Sequence, residues 1–159
     1  MKKNFTNKKG FMIVEILVAI SIITVSILAA MSVAQRSISV ARQSLHASQA
    51  SFLLEEGAEV ARILRDNAWT NISSLSTSST YYPTFSAPNW SLSITPNTVG
   101  IFTRTTTISN VNRDNTTKDI SASGTDDPRT KLMTVTVSWS ESGVSVSKTL
   151  SFYIMDIFS

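Results

Sequence analysis

The chain has 159 residues, with 14 lysines and arginines against 11 acidic side chains, one histidine and no cysteine. That length allows one modest domain besides an anchor. The absence of cysteine excludes disulfides but does not fix the compartment, since an exported domain can fold without them. The formal charge of +3 is not a nucleic-acid footprint. Lys2, Lys3, Lys8 and Lys9 sit in the first ten residues, and beyond them ten basic side chains face eleven acidic ones,.

The first element is Lys8-Lys9-Gly10-Phe11-Met12-Ile13-Val14-Glu15 with the apolar run that follows to Ala34. From Ile16 to Gln35 there is no ionisable side chain. As a helix that run is about 30 Å long, enough to cross a bilayer core. Its Ile and Val content favours strand in water, but in lipid a single span satisfies its backbone only as a helix. Glu15 at the edge of such a segment costs on the order of several kcal/mol unless it meets a partner. The lysines before the apolar run set its orientation, with the leader inside and everything after Gln35 exported.

These residues resemble the class III signal of type IV pilins and type II secretion pseudopilins. The likeness lies in the basic leader, Gly10 at the cut, Phe11 after it, Glu15 at a fixed offset and the uncharged frame between. The resemblance implies a cleaved leader at 1–10, with a dedicated peptidase cutting after Gly10 and methylating the new N-terminus at Phe11. Residues 11–34 then stay as membrane anchor and filament-core helix. An ordinary secretory signal is cut after its apolar core, whereas here the candidate site precedes it. In this family Glu15 would neutralise the amine at Phe11, its own or a neighbouring subunit's. Ser32 stands where many major pilins carry a proline, and no cysteine closes the C-terminal loop. Both departures point to a minor pilin or pseudopilin.

Residues 35–68 read as an amphipathic continuation of the same helix. Ile38, Ala41, Leu45, Phe52, Val60, Ile63 and Leu64 form its apolar face, with Arg36, Arg42, Glu55, Glu59, Arg62 and Arg65 elsewhere,. Gly57 weakens it locally by up to about 1 kcal/mol. The phrase from Phe52 to Trp69 resembles the helix end of small bacterial pilin-like proteins.

Thr70 to Thr80 reads as a loop and the path stays irregular to Asn89. Trp90, Leu92 and Ile94 alternate as a strand, Val99 to Ile108 is a second candidate, and Asn110 to Arg129 a long polar connection. Leu132 to Trp139 alternates most clearly. A turn at Ser140–Gly143 returns Val144 to Ile154 antiparallel. The predicted fold is therefore α+β, with the second half of a long helix packed on an antiparallel sheet of about four strands in residues 69–159. The strand at Leu132–Trp139, with Phe102-Thr103-Arg104 before it, resembles the sheet of minor pilins and pseudopilins.

Chemistry finds little purchase. His46 has no cysteine and no evident fixed acid beside it, so a packed or solvated histidine is expected. Glu55, Glu56 and Glu59 have the spacing of a solvated helix face. Asp114, Asp119, Asp126 and Asp127 are the only metal candidates, because some pseudopilins hold calcium in such a loop. They show no calcium-loop periodicity and read first as a solvated loop. Tyr81, Tyr82, Trp90, Arg104, Arg113 and Arg129 could stack and pair with single-stranded DNA, yet the near-neutral chain argues against nucleic acid as a partner.

No enzyme activity and no cofactor are expected. The expected role is structural. The partners implied by the resemblance are other pilin or pseudopilin subunits, the prepilin peptidase and methylase, membrane lipid, and an inner-membrane assembly platform with its ATPase. The rival readings are a secreted β-domain cut after Ser32-Val33-Ala34 and an uncleaved anchored binding module.

Overall fold

The computed structural model describes residues 8–157, with side chains from Phe11 onward; residues 1–7 of the expected leader lie outside the described residues. The chain divides into two units, Met1–Leu45 and His46–Ser159. Helix α1, Lys8–Asn67, belongs to both. In the first unit it carries the apolar run, and none of the side chains from Phe11 to Val33 is buried.

The second unit is α+β, as predicted. After α1 come a four-residue helix α2 (Thr70–Ser73) and strands β1 (Tyr82–Ser86), β2 (Asn89–Ser93), β3 (Thr98–Val99), β4 (Phe102–Arg113), β5 (Ile120–Ser121), β6 (Thr125–Glu141) and β7 (Val144–Met155). β1 and β2 form a hairpin of their own. The main sheet is antiparallel in the order β3-β4-β6-β7, with β5 paired to the far end of β4. β6 and β7 are joined by the two residues Ser142 and Gly143, both at positive φ. That is the primed turn whose twist matches the strands it joins.

Period-two alternation decides which face of the sheet is covered. Met133, Val135, Val137 and Trp139 of β6, with Phe102 and Ile108 of β4, are buried against the helix. From α1 the buried residues are Ala50, Leu54, Gly57, Ala58, Val60, Ala61 and Leu64. This corrects the predicted helix face. Val60 and Leu64 do face the core, but Phe52 is 67% exposed, and Ile38, Leu45 and Ile63 are exposed as well.

The reason is distance. A Cβ placed on Gly57 would lie 2.7 Å from Val135 Cγ1, so the contact line admits glycine and alanine where it admits no phenylalanine. Gly57 is therefore a packing residue, not merely a weak point in the helix.

Two other expectations are corrected. The predicted connection Asn110–Arg129 is largely strand, because β4 runs on to Arg113 through a bulge near Val111 and β6 starts at Thr125. Within the predicted loop and irregular stretch, residues 70–73 form α2 and residues 82–86 form β1. Tyr81, buried, anchors this region by bridging to Thr106.

The other face of the sheet carries hydroxyls. In register across β4, β6 and β7 lie Thr103, Ser138 and Ser147, then Thr105, Thr136 and Thr149, then Thr107, Thr134 and Ser151. Thr134 and Ser151 hydroxyls are 3.0 Å apart, and those of Thr136 and Thr149 are 3.3 Å apart.

The Gly57 contact yields a packing test. Gly57→Ala gains about 1 kcal/mol of helix propensity but overpacks the contact by about 1–3 kcal/mol, so a net loss is expected. Val135→Ala alone is expected to cost about 2 kcal/mol. In urea unfolding the double variant should lose clearly less than the two single losses combined, since the truncated valine makes room for the new methyl.

Candidate functional site

The N-terminal segment is the only described helix long and apolar enough to cross a membrane, with a mean hydropathy of 2.7 over its best window. The hydroxyl side chains of its apolar run are satisfied from within. The hydroxyls of Ser21, Thr24, Ser26 and Ser32 donate to the carbonyls of Leu17, Ile20, Ile22 and Leu28, four residues back, at 2.6 to 2.9 Å. Such back-bonding leaves no hydroxyl hydrogen to be stranded in hydrocarbon. Gly10 lies within the first turn of α1. Phe11 follows it, 81% exposed.

Glu15 is four residues beyond Phe11 and so lies on the same side of the helix. Helical side chains lean toward the N-terminus, which aims its carboxylate back at the Phe11 end. Among the described residues it has no ion-pair partner.

His46 does have a fixed acid, which corrects the expectation from sequence. Its Nδ1 lies 2.7 Å from Glu141 Oε2, an oxygen that also accepts from Trp139 Nε1 at 3.3 Å. Phe102 stands edge-on to the imidazole, with ring centroids 6.2 Å apart. Among the described residues no hydroxyl is hydrogen-bonded to His46. The effect of the cluster is mechanical: it ties α1 to the end of β6. Lys148 of β7 makes a similar tie, donating to the Ala47 carbonyl and to Ser51 Oγ at 3.1 Å each.

Of the three helix glutamates, Glu59 pairs with Arg62, Glu55 is exposed, and Glu56 sits 2.9 Å from Arg104. Arg104 is only 4% exposed. Its guanidinium lies 5.7 Å from the Trp90 ring centroid and donates to the carbonyls of Leu53 and Pro83 at 3.4 Å.

The four aspartates are placed apart in role. Asp114 Oδ1 accepts from the backbone N–H groups of Thr116 and Thr117 at 2.7 and 2.9 Å. Those two bonds, Thr117 first, hold its carboxyl below the ordinary carboxylate range,. Asp127 takes the Arg113 Nε hydrogen at 2.6 Å and the Thr130 hydroxyl at 2.8 Å. Arg113 is the main cause of its lowered pKa, while burial opposes the shift.

Asp119 contributes its backbone carbonyl to Asp114 N–H at 2.9 Å. Asp126 lines a cleft of about 440 Å³ with Asp114 and Asp127. Among the described residues, no group of three or more acidic, histidine or cysteine side chains is placed to hold a metal ion.

The six residues weighed for stacking on DNA do not converge. Tyr81 and Arg104 are buried and Trp90 is half-buried. Tyr82 is half-buried in β1, while Arg113 at the end of β4 and Arg129 near the start of β6 face Asp127 and Asp156. Comparison with known proteins returns no matching family model, no matching curated protein and no matching solved structure.

Sequence reasoning missed Glu141 as the acid for His46 and Glu56 as the partner of Arg104. Both pairs join positions far apart in the chain, and neither leaves a local spacing signal. The sequence reading registers the alternation of Thr134, Thr136 and Ser138 in β6, but not the matching Thr and Ser positions of β4 and β7 that pair with them.

Asp127 allows a prediction with a definite sign. Its folded pKa is below its unfolded value, so its contribution is present above about pH 4 and fades as pH falls through the folded pKa. Asp127→Asn is expected to lose about 1–2 kcal/mol at pH 7, the usual weight of a charge-assisted hydrogen bond. Thermal unfolding across pH 2–7 should show the gap between the two proteins closing below pH 4.

Proposed function

We propose that this chain is a structural subunit of a type IV pilin-like filament, of the minor pilin or pseudopilin kind. What carries the reading is the N-terminal segment: an unburied, internally satisfied apolar helix whose one carboxylate, Glu15, stands a single turn from Phe11. In this reading the leader stays inside, a prepilin peptidase cuts after Gly10, and the new amine at Phe11 is methylated. The helix holds the subunit in the membrane until assembly, when Phe11–Ala34 packs against the same segment of neighbouring subunits. An assembly platform with its own ATPase drives that step.

Electrostatics gives Glu15 its task. In water the attraction between its carboxylate and an N-terminal ammonium is weak, but it grows several-fold at the lower dielectric of a helix bundle or bilayer edge. Leaving either charge unpaired there is costly. The pair, formed within one subunit or between two, allows both ends to leave the headgroup region together. The head from His46 onward then faces the exterior.

The test is the intact mass and N-terminal sequence of the membrane-bound protein from cells carrying a prepilin peptidase. The expected product begins at N-methylated Phe11. A soluble chain beginning at Gln35, or an intact Met1 in the membrane, would sink the proposal. Glu15→Ala is expected to be processed normally yet to enter filaments poorly. Loss of one partner of a desolvated pair costs about 2 kcal/mol or more, which is roughly a 30-fold loss of incorporation.

A further inference from the structure

The three hydroxyl rows on the open face of the sheet end at a fourth row made of Ser109, Leu132 and Tyr153. Beside this row lies a cleft of about 380 Å³, lined by Asn110, Asn112, Ser121, Leu132 and Tyr153 among others, none of them charged. Tyr153 is 50% exposed. Lys131 Nζ donates to Asn110 Oδ1 at 2.7 Å, which engages the amide oxygen and leaves its Nδ2 hydrogens for an acceptor.

We propose that this cleft, continued by the hydroxyl rows, binds a neutral polysaccharide. Three features select that chemistry. The tyrosine offers an apolar ring with a polar tip, a platform for the C–H face of a sugar. The amides and hydroxyls around it both donate and accept, as a ligand of alternating donor and acceptor hydroxyls requires. The rows extend the surface with a spacing of about 4.8 Å across strands and about 6.8 Å along them, so a chain of sugar rings meets hydroxyls repeatedly.

Charge makes the choice between ligand classes. The four rows and the cleft lining contain no Asp, Glu, Lys or Arg, although the head carries charges of both signs elsewhere. The Lys131 ammonium is buried and bonded to Asn110, and Asp126 lies across from Asn112 outside the cleft lining. An ionic ligand lying over the rows and Tyr153 would therefore lose hydration with no charge of those rows to compensate it. A neutral, hydroxyl-rich one exchanges water bonds for equivalent bonds. The site lies wholly within His46–Ser159 and does not depend on how the N-terminal segment is processed.

The experiment uses the full chain in a zwitterionic detergent without a sugar headgroup. It measures retention on amorphous cellulose, chitin and starch, with alginate as the anionic comparison. Two variants accompany it, Tyr153→Ala in the cleft and Thr105→Lys/Thr136→Lys on the rows, each checked by circular dichroism and thermal unfolding. The lysine pair sits on a solvated face and should fold.

The expected result is retention on at least one neutral polysaccharide, weakened tenfold or more by either variant, with no retention on alginate. Retention on none of the three neutral polymers would overturn the proposal. So would retention on alginate alone, or binding that both variants leave unchanged. If the protein binds no polymer but sediments as a dimer that Thr105→Lys/Thr136→Lys dissociates, the face is a contact between two copies and the proposal fails.

Discussion

The head depends on how closely α1 approaches the sheet. At Gly57 the helix backbone comes so near Val135 that a single added carbon would fall inside contact distance. Alanines at 50, 58 and 61 continue the same narrow seam, and all three are buried. A helix this close brings main-chain atoms within reach of the sheet's side chains. That is how the Leu53 carbonyl comes to accept from Arg104 across the interface.

Arg104 occupies the margin of that seam and binds three layers at once. Glu56 of α1 supplies the counter-charge, the Pro83 carbonyl ties β1, and Trp90 of β2 receives the guanidinium on its ring. Arg104 is buried but its partner Glu56 is partly exposed, so burying the guanidinium is costly and a half-solvated counter-charge returns little net stability. Arg104 Nε and the neighbouring Thr106 Oγ1 are buried without a hydrogen-bond partner among the described residues, which adds to that cost. What the arrangement supplies is position: the separate β1–β2 hairpin is held over β4 by a side chain that cannot be exchanged for a hydrophobic one without losing all three bonds.

How much of this was legible follows from how local each signal is. The apolar run, the Leu132–Trp139 alternation and the Ser142-Gly143 turn are read from neighbouring residues, and the fold class came with them. The helix phase was misread because Phe52 and Ile63 look like core by hydrophobicity, whereas the seam selects by size and rewards Gly57 and the alanines. The strand ends beyond Asn110 and before Leu132 were lost because Asn, Asp and Thr read as loop. In the fold they pair with each other across a bulge, where partner and not propensity decides. The His46–Glu141 and Glu56–Arg104 pairs required knowing the sheet register first. Of the candidate site, Gly10, Phe11 and Glu15 were legible because their relation is a fixed offset along one helix.

The same residue types serve two different surroundings in this chain. In the apolar segment each of Ser21, Thr24, Ser26 and Ser32 turns its hydroxyl hydrogen onto the carbonyl one turn back. The helix consumes its own donors and presents a surface without unmet hydrogens. A strand offers no such carbonyl to its outward side chains, because its backbone groups point sideways into the ladder. On the open face Thr134 bonds Ser151 and Thr136 bonds Thr149, and each of these hydroxyls retains lone pairs or a hydrogen for whatever lies above. Secondary structure, and not composition, thus makes one set of serines and threonines compatible with lipid and leaves the other set open to water or a hydroxyl-rich ligand.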